Sequence, residues 1–440
     1  MIQSPGRRIS GVPRPSLAAA TAAVLVLLAI PGASPRPAAQ GGGQAAGGTG
    51  NWVTAWATSQ QTLGQATISN ASVRLIARVT VPGDAIRVRL DNTFGTEPLR
   101  VGRAHVGYRV QGAAVAVGSN KPITFNQATE VTVPPGGTVW SDSVTLPVHA
   151  QQDLAISLYV PGASVRPSQH SGAYATSYRS ADGSGDTTAD ETRTPWTATF
   201  TNTWWLKAVD VQSSSSNGTI VAFGDSITDG TCSTVDANDR WVNVLSERLG
   251  LQYDAAVKAG ARGARLKAIV NEGIGGNTVT REGLKPAVDS PPGVERLERD
   301  VLSHHGVTDV IFFMGTNDLR RDAPIEQVQK GIATVVERIH AKKWRVTGVT
   351  IIPRHNAAPN GTNTGWDPEK TTRRNAMNQW LKTKAGFDAL IDFDATIRDP
   401  KQLDMMLPAY GCGDGIHPSP LGYYVLGRSI PLSLFGAGEN

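Results

Sequence analysis

The sequence predicts an α/β chain in two parts: an antiparallel β-sandwich of the jelly-roll type over 51–211, and behind it, over 219–440, a parallel sheet covered on both faces by helices. Three observations predict it. Residues 51–211 show short apolar–polar alternations punctuated by turn residues, with no helical period. From Thr219 onward, apolar runs of strand length alternate with segments of 3.6-residue period. At 440 residues the chain is also longer than one core ordinarily fills, which favours two domains.

The chain opens with Arg7, Arg8 and Arg14, followed by an uninterrupted small and apolar run, Leu17 to Ile30. That order is expected of an export signal, and the run is short for a membrane span of about 20 residues. We assign 1–33 as signal peptide, with cleavage near Ala33 or Ala39, and expect the mature protein to be secreted without a stable membrane span. A membrane anchor is the alternative. Residues 34–50, rich in Pro, Ala, Gly and Gln, read as a disordered linker.

In the β region, Val73, Leu75, Ala77, Val79 and Val81 alternate with Arg74, Ile76, Arg78 and Thr80. Pro82-Gly83-Asp84 makes a turn, and Ile86, Val88 and Leu90 resume the alternation, so a hairpin with one wet face is expected. Further strands are expected at 99–108, 130–133, 138–146 and 154–160, and a last one at 204–211. Gln212, four serines and Asn217-Gly218 then read as a polar linker, 212–218.

Behind it, strands are expected at 219–224, 307–314, 346–352 and 389–394, and helices at 240–249, 292–304, 324–343 and 369–384. Ile325, Val328, Ile332, Val335, Val336 and Ile339 give the third helix its period. In open parallel sheets the functional site lies beyond the carboxyl ends of the strands.

The chemistry concentrates there. Gly224-Asp225-Ser226 ends an apolar strand and displays one serine; a hydroxyl is a weak nucleophile and needs a base within hydrogen-bond reach. His417 is the candidate base, and Asp414, three residues earlier, the candidate for fixing its tautomer. Gly276 and Asn317, with the Ser226 N–H, are candidate oxyanion donors; glycine lets its own N–H approach closely and asparagine offers a side-chain amide. Taken singly, each has a plain alternative: a helix-capping serine, a loop carboxylate, a flexible glycine loop, an Asx-turn. Together they are what acyl transfer needs.

These four segments resemble the blocks of the SGNH hydrolases, the GDSL-type esterases and lipases, over about 219–430. The resemblance implies a flavodoxin-like three-layer α/β/α domain, Ser226 as nucleophile, Gly276 and Asn317 as oxyanion donors, and Asp414 and His417 as acid and base. Ile227 replaces the leucine of the first block. The β region is similar to one that precedes the catalytic domain in a bacterial branch resembling esterases found near xylan-degrading enzymes. The expected function is a secreted serine esterase acting on short, acetyl-type esters such as those of acetylated polysaccharides, with no metal or cofactor. Lipid or aryl esters are the rival substrates, and a carbohydrate-binding protein with a non-catalytic α/β part is the rival of another class.

The two cysteines, Cys232 and Cys412, lie six residues after Ser226 and five before His417. If serine and histidine meet, so do the cysteines, and a disulfide pinning the two loops is expected; two buried thiols are the alternative. The net charge of +5 is spread along the chain, so no nucleic-acid partner is expected. Gly273–Gly276 lacks the register of a dinucleotide fingerprint, and His304-His305 reads as a helix end rather than a metal site. His355 and Trp366 fall in a polar loop, 353–368, that can overhang the site. Trp204-Trp205 reads as packing before a sugar platform. Asn70, Asn217 and Asn360 begin glycosylation triplets. Oligomeric state is left open.

Overall fold

The computed structural model describes residues 51–354 and 364–436. The expected signal peptide and the 34–50 linker, together with His355 and Asn360, lie outside the described residues. The described residues fall within one compact unit.

The front region is built from antiparallel strands in two main sheets. One runs Asn51–Ala57, Leu206–Ser213, Gly83–Asp91, Val144–Val148; the other places Ala71–Val79 between Gln152–Val160 and Ser177–Arg179. Leu75, Val88, Leu158 and Val209 are fully buried within one apolar cluster.

The expected hairpin is not one. Ala71–Val79 and Gly83–Asp91 belong to different sheets, and the turn between them crosses the sandwich. Gly83 permits the crossing, because a Cβ there would stand 2.2 Å from the Gln212 carbonyl oxygen. The wet face is also covered. Arg74 is fully buried, with Nε donating to Ser157 Oγ at 2.8 Å and the guanidinium 4.1 Å from the centre of the Trp196 ring. Alternation reports a polar side chain, not whether a later loop folds over it.

The strands of the second part are numbered β1 (Ser216–Gly224), β2 (Leu266–Gly273), β3 (Val307–Phe313), β4 (Arg345–Val349) and β5 (Ala389–Ile391). All pair in parallel, in the order β2-β1-β3-β4-β5, the doubly wound order that leaves a crevice between β1 and β3. Ile220 and Ala222 face one side with Trp241, Leu245 and Leu426; Val221 and Phe223 face the other with Leu297, Val328 and Ile332. Helices Trp241–Lys258 and Pro420–Ser429 therefore cover one face and Gly293–Leu297 and Ile325–His340 the other. The second part is therefore a three-layer α/β/α sandwich.

Several elements depart from expectation. The edge strand β2 was not expected, because Lys267, Asn271 and Glu272 break its apolar run; here Lys267 pairs with Asp309, and Glu272 is fully buried among charged partners. The 212–218 linker is not a linker: Leu206–Ser213 and β1 leave only Ser214 and Ser215 between them. The helix at 240–249 continues to Lys258, and the one at 292–304 is an α-turn followed by a π-turn, Glu298–Leu302.

The front sheets and the parallel sheet share hydrogen bonds as well as core. Thr54 N donates to His305 O at 3.0 Å, and Ile269 N on β2 donates to Thr80 Oγ1 at 3.1 Å. Between them lies a fully buried charge cluster. Lys207 Nζ reaches Glu272 Oε2 at 2.8 Å and Asp300 Oδ1 at 2.9 Å, and Arg296 Nη1 reaches Asp300 Oδ2 at 3.2 Å and Ser59 Oγ at 2.8 Å.

Candidate active site

β1 ends at Gly224, where a Cβ would stand 2.0 Å from Thr228 Oγ1, so only glycine lets the chain turn this tightly. Asp225 then caps the one-turn helix Ser226–Asp229, accepting from Ile227 N at 3.0 Å. Gly230, at φ 106°, closes the turn by donating to Ser226 O at 2.9 Å. Ser226 occupies the first helical position, so its N–H has no partner within the turn.

His417 arrives from the loop ahead of Pro420–Ser429. Its Nε2 lies 2.8 Å from Ser226 Oγ and its Nδ1 2.6 Å from Asp414 Oδ2. Asp414 Oδ1 also accepts from the N–H groups of Ile416 and His417, both at 2.8 Å. Burial would raise the Asp414 carboxyl, but the bonds from the His417 ring and these two amides outweigh it and hold the group at about 2. A carboxylate on Nδ1 leaves Nε2 to face the serine hydroxyl. Cys232 and Cys412 are joined as a disulfide with Cα atoms 6.3 Å apart, and Tyr423 Oη donates to Thr231 O at 2.7 Å, so two ties hold the histidine loop to the serine loop.

Across the crevice, Gly276 adopts φ 71°, a backbone conformation that favours glycine, and the space a Cβ would fill is open. Its N–H donates to no protein acceptor among the described residues. Asn317, on the short helix Thr316–Arg320, sends one Nδ2 hydrogen to Asn277 O at 3.0 Å and keeps the second. Asp318 locks the same loop by accepting from Val279 N at 2.9 Å and Thr280 N at 3.2 Å; burial first, against those two bonds, raises its carboxyl to about 7. The structure thus brings Ser226, His417 and Asp414 into one hydrogen-bonded relay, with Gly276 and Asn317 on one braced loop system.

Sequence reasoning missed the supports. Arg296 donates to Gly224 O at 2.8 Å, Glu272 O at 2.9 Å and Asn277 Oδ1 at 2.9 Å, joining the ends of β1 and β2 to the glycine loop. No local signal marks it. Asn277 and Asp318 adjoin motif residues and could have been read from that adjacency. His170, from the front region, bonds Asp229 on the serine helix at 3.0 Å. A cavity of about 80 Å³ lined by His170, Tyr174, Asp229, Arg240 and Asn271 lies behind the serine turn; Ser226 and His417 are not among its lining residues.

Other candidates resolve into structure. Trp204 and Trp205 are buried, Trp204 stacking on Phe200 with centroids 4.2 Å apart. Trp366 is buried too, its Nε1 donating to Thr371 Oγ1 at 3.0 Å. His304 bonds Glu272 at 2.6 Å within the charge cluster. Among the described residues the trio Cys232, Cys412 and Asp414 lies close enough to hold a metal ion, but its sulfurs are bonded to each other and its carboxylate to His417.

Residues 222–425 match the family described as GDSL-like lipase/acylhydrolase. Similar solved structures include a carbohydrate acetylesterase from Sinorhizobium meliloti, at 19% identity over 50% of this chain and 98% of that one, TM-score 0.37. A GDSL-like lipase from Bacteroides thetaiotaomicron VPI-5482 shares 19% identity over 50% and 88%, TM-score 0.34. An acetyl xylan esterase shares 18% identity over 48% and 96%, TM-score 0.34. No curated protein matches the chain.

Proposed function

We propose, for a chain whose residues 222–425 form a GDSL-like lipase/acylhydrolase domain and which is a carboxylic ester hydrolase, that it is a secreted serine esterase working through an acyl-enzyme on short-chain esters. The observation that carries the mechanism is the relay Ser226 Oγ–His417 Nε2–Asp414, at 2.8 and 2.6 Å.

In this reading Ser226 Oγ attacks the ester carbonyl as its proton passes to His417 Nε2. The negative oxygen that forms is met by the N–H groups of Ser226 and Gly276 and the free Nδ2 hydrogen of Asn317. His417 returns the proton to the departing alkoxide, leaving Ser226 acylated. Water, deprotonated by the same imidazole, attacks the acyl-enzyme; the serine recovers its proton and the acid leaves. Asp414 stays ionised and supports the imidazolium formed in each step.

We read the acyl group as short, of the acetyl type, in preference to a lipid chain. Acetylated polysaccharides are the preferred class. The disulfide fits export into an oxidising compartment, in line with the basic and apolar opening of the chain. We read 51–211 as a β-sandwich that braces the catalytic region 219–440.

Hydrolysis of p-nitrophenyl esters from acetyl to palmitoyl, by wild type and Ser226→Ala side by side, tests the reading. Serine-dependent activity falling steeply beyond short chains is expected. A maximum at long chains would move the substrate to lipids, and no activity would overturn the esterase.

A further inference from the structure

Two arginines at the carboxyl ends of the strands have no part in acyl transfer. Arg354, just beyond β4, is 4% exposed. Its Nη2 donates to Thr364 O at 2.8 Å, while Nε and Nη1, equally buried, have no hydrogen-bond partner among the described residues. Arg320 stands three residues after Asn317, on the same face of one short helix, and its Nε donates to the same carbonyl at 3.1 Å. Two guanidinium groups therefore converge on one neutral oxygen. Neither forms an ion pair among the described residues, and 355–363 contain no aspartate or glutamate.

The pair lies beside the ester site. Ile351, near Arg354 in the chain, packs so close to Gly315, ahead of Asn317, that a Cβ on the glycine would meet its Cδ1 at 3.0 Å. The carboxylates that act on Arg354 through space are Asp225 and Asp414, and both are engaged elsewhere, with Ile227 N and His417. Burial first, then the charge of Arg320, lowers the Arg354 guanidinium to about 10, which leaves it cationic at neutral pH. The Trp366 ring lies 5.5 Å from its centre, a contact that leaves the N–H edge of the fork unused. A buried cation whose donors lack acceptors is costly unless an anion completes it, and a planar guanidinium fork matches a carboxylate.

We propose that Arg354 and Arg320 form an anion subsite next to Ser226, and that the preferred substrates are esters carrying a carboxylate on their alcohol or acyl side. The proposal rests on the esterase reading above and names the substrate class within it.

Two matched pairs of esters test it: 4-acetoxybenzoate against its methyl ester, and mono-4-nitrophenyl glutarate against 4-nitrophenyl methyl glutarate. Wild type is expected to favour the anionic member of at least one pair in kcat/KM. Preference in the first pair places the carboxylate on the alcohol side, and preference in the second places it on the acyl side. Arg354→Gln and Arg320→Gln should each lower that ratio about tenfold or more, chiefly through KM, and Arg354→Lys should retain part of it. Ser226-dependent hydrolysis with no anionic preference in either pair, or a ratio unmoved by the glutamine variants, overturns the subsite and leaves the esterase standing. No hydrolysis of any ester brings down both. Should the glutamine variants not fold, inhibition of wild type decides: benzoate competing better than benzamide supports the subsite, and equal inhibition overturns it.

Discussion

His170 Nε2 and Asp229 Oδ1 lie 3.0 Å apart, both buried, one from the front sheets and the other from the turn that carries Ser226. The other ring nitrogen, Nδ1, lies 2.8 Å from Ser59 O. A carbonyl and a carboxylate can only accept, so both ring nitrogens must donate and the ring is an imidazolium. Burial opposes that charge, but Asp229 and the Ser59 carbonyl outweigh it and raise the histidine above its ordinary range. A raised folded value gives stability that is fully present below the unfolded value of about 6.5 and lost as pH rises through the folded one. His170→Ala should therefore destabilise the protein by about 1–3 kcal/mol at pH 6, and by less in alkaline solution. Urea melts across that range check it; a cost independent of pH would refute the imidazolium.

Ser226→Ala and His417→Ala should each remove nearly all turnover while the fold persists. Asn317→Ala should cost about 2.7–4 kcal/mol of transition-state stabilisation, or 10²–10³ in kcat. Single-turnover assays on folded variants decide; Ser226→Ala retaining activity close to wild type is incompatible with the mechanism.

Asp414 should stay ionised down to about pH 2. Its depressed value contributes stability above the ordinary carboxylate range near 4, and that contribution is lost as pH falls through about 2. An acid limb of the rate profile well above pH 2 therefore does not belong to the Asp414 carboxyl. Asp414→Asn should lower kcat less than His417→Ala. A limb that tracked the Asp414 carboxyl would reverse the assignment.

Reduction of the Cys232–Cys412 bond, or Cys412→Ser, should lower both thermal stability and kcat, because it frees the loop that carries His417. A loss of about 2–4 kcal/mol is typical for a structural disulfide. Peptide mass spectrometry without reductant should recover the two cysteines joined, and free thiols would count against the tie.

Lys207→Met should leave Glu272 and Asp300 short of a buried counter-charge and cost about 3–5 kcal/mol. A denaturant midpoint close to wild type would show that the cluster is self-sufficient without the lysine.

Much of the site was legible because its residues sit in short runs whose chemistry is local. Gly224-Asp225-Ser226 needs a tight turn, and Asp414 and His417 lie within a single loop, so spacing carries the geometry. The alternation from Thr219 onward likewise announced the parallel sheet. What stayed hidden is held by long-range partners. Glu272 and Lys267 made β2 look unlike a strand, since their counter-charges, Lys207 and Asp309, lie far along the chain. The 73–90 hairpin misled because alternation is the same whether a strand pairs with its neighbour or crosses to the opposite sheet. Arg296 and His170 show no local pattern, and only folding brings them to the serine turn.

The buried charge cluster also bears on how such a chain can be recombined. A crossover at the serine-rich stretch 212–218, an inviting seam in the sequence, would part Lys207 from Glu272 and Asp300, and Ser59 from Arg296. Each half would inherit charges or donors whose complements remained behind. A chimera joining this front region to another hydrolase must carry those residues as one inherited set, so the two parts are expected to diverge together and to resist exchange as separate cassettes.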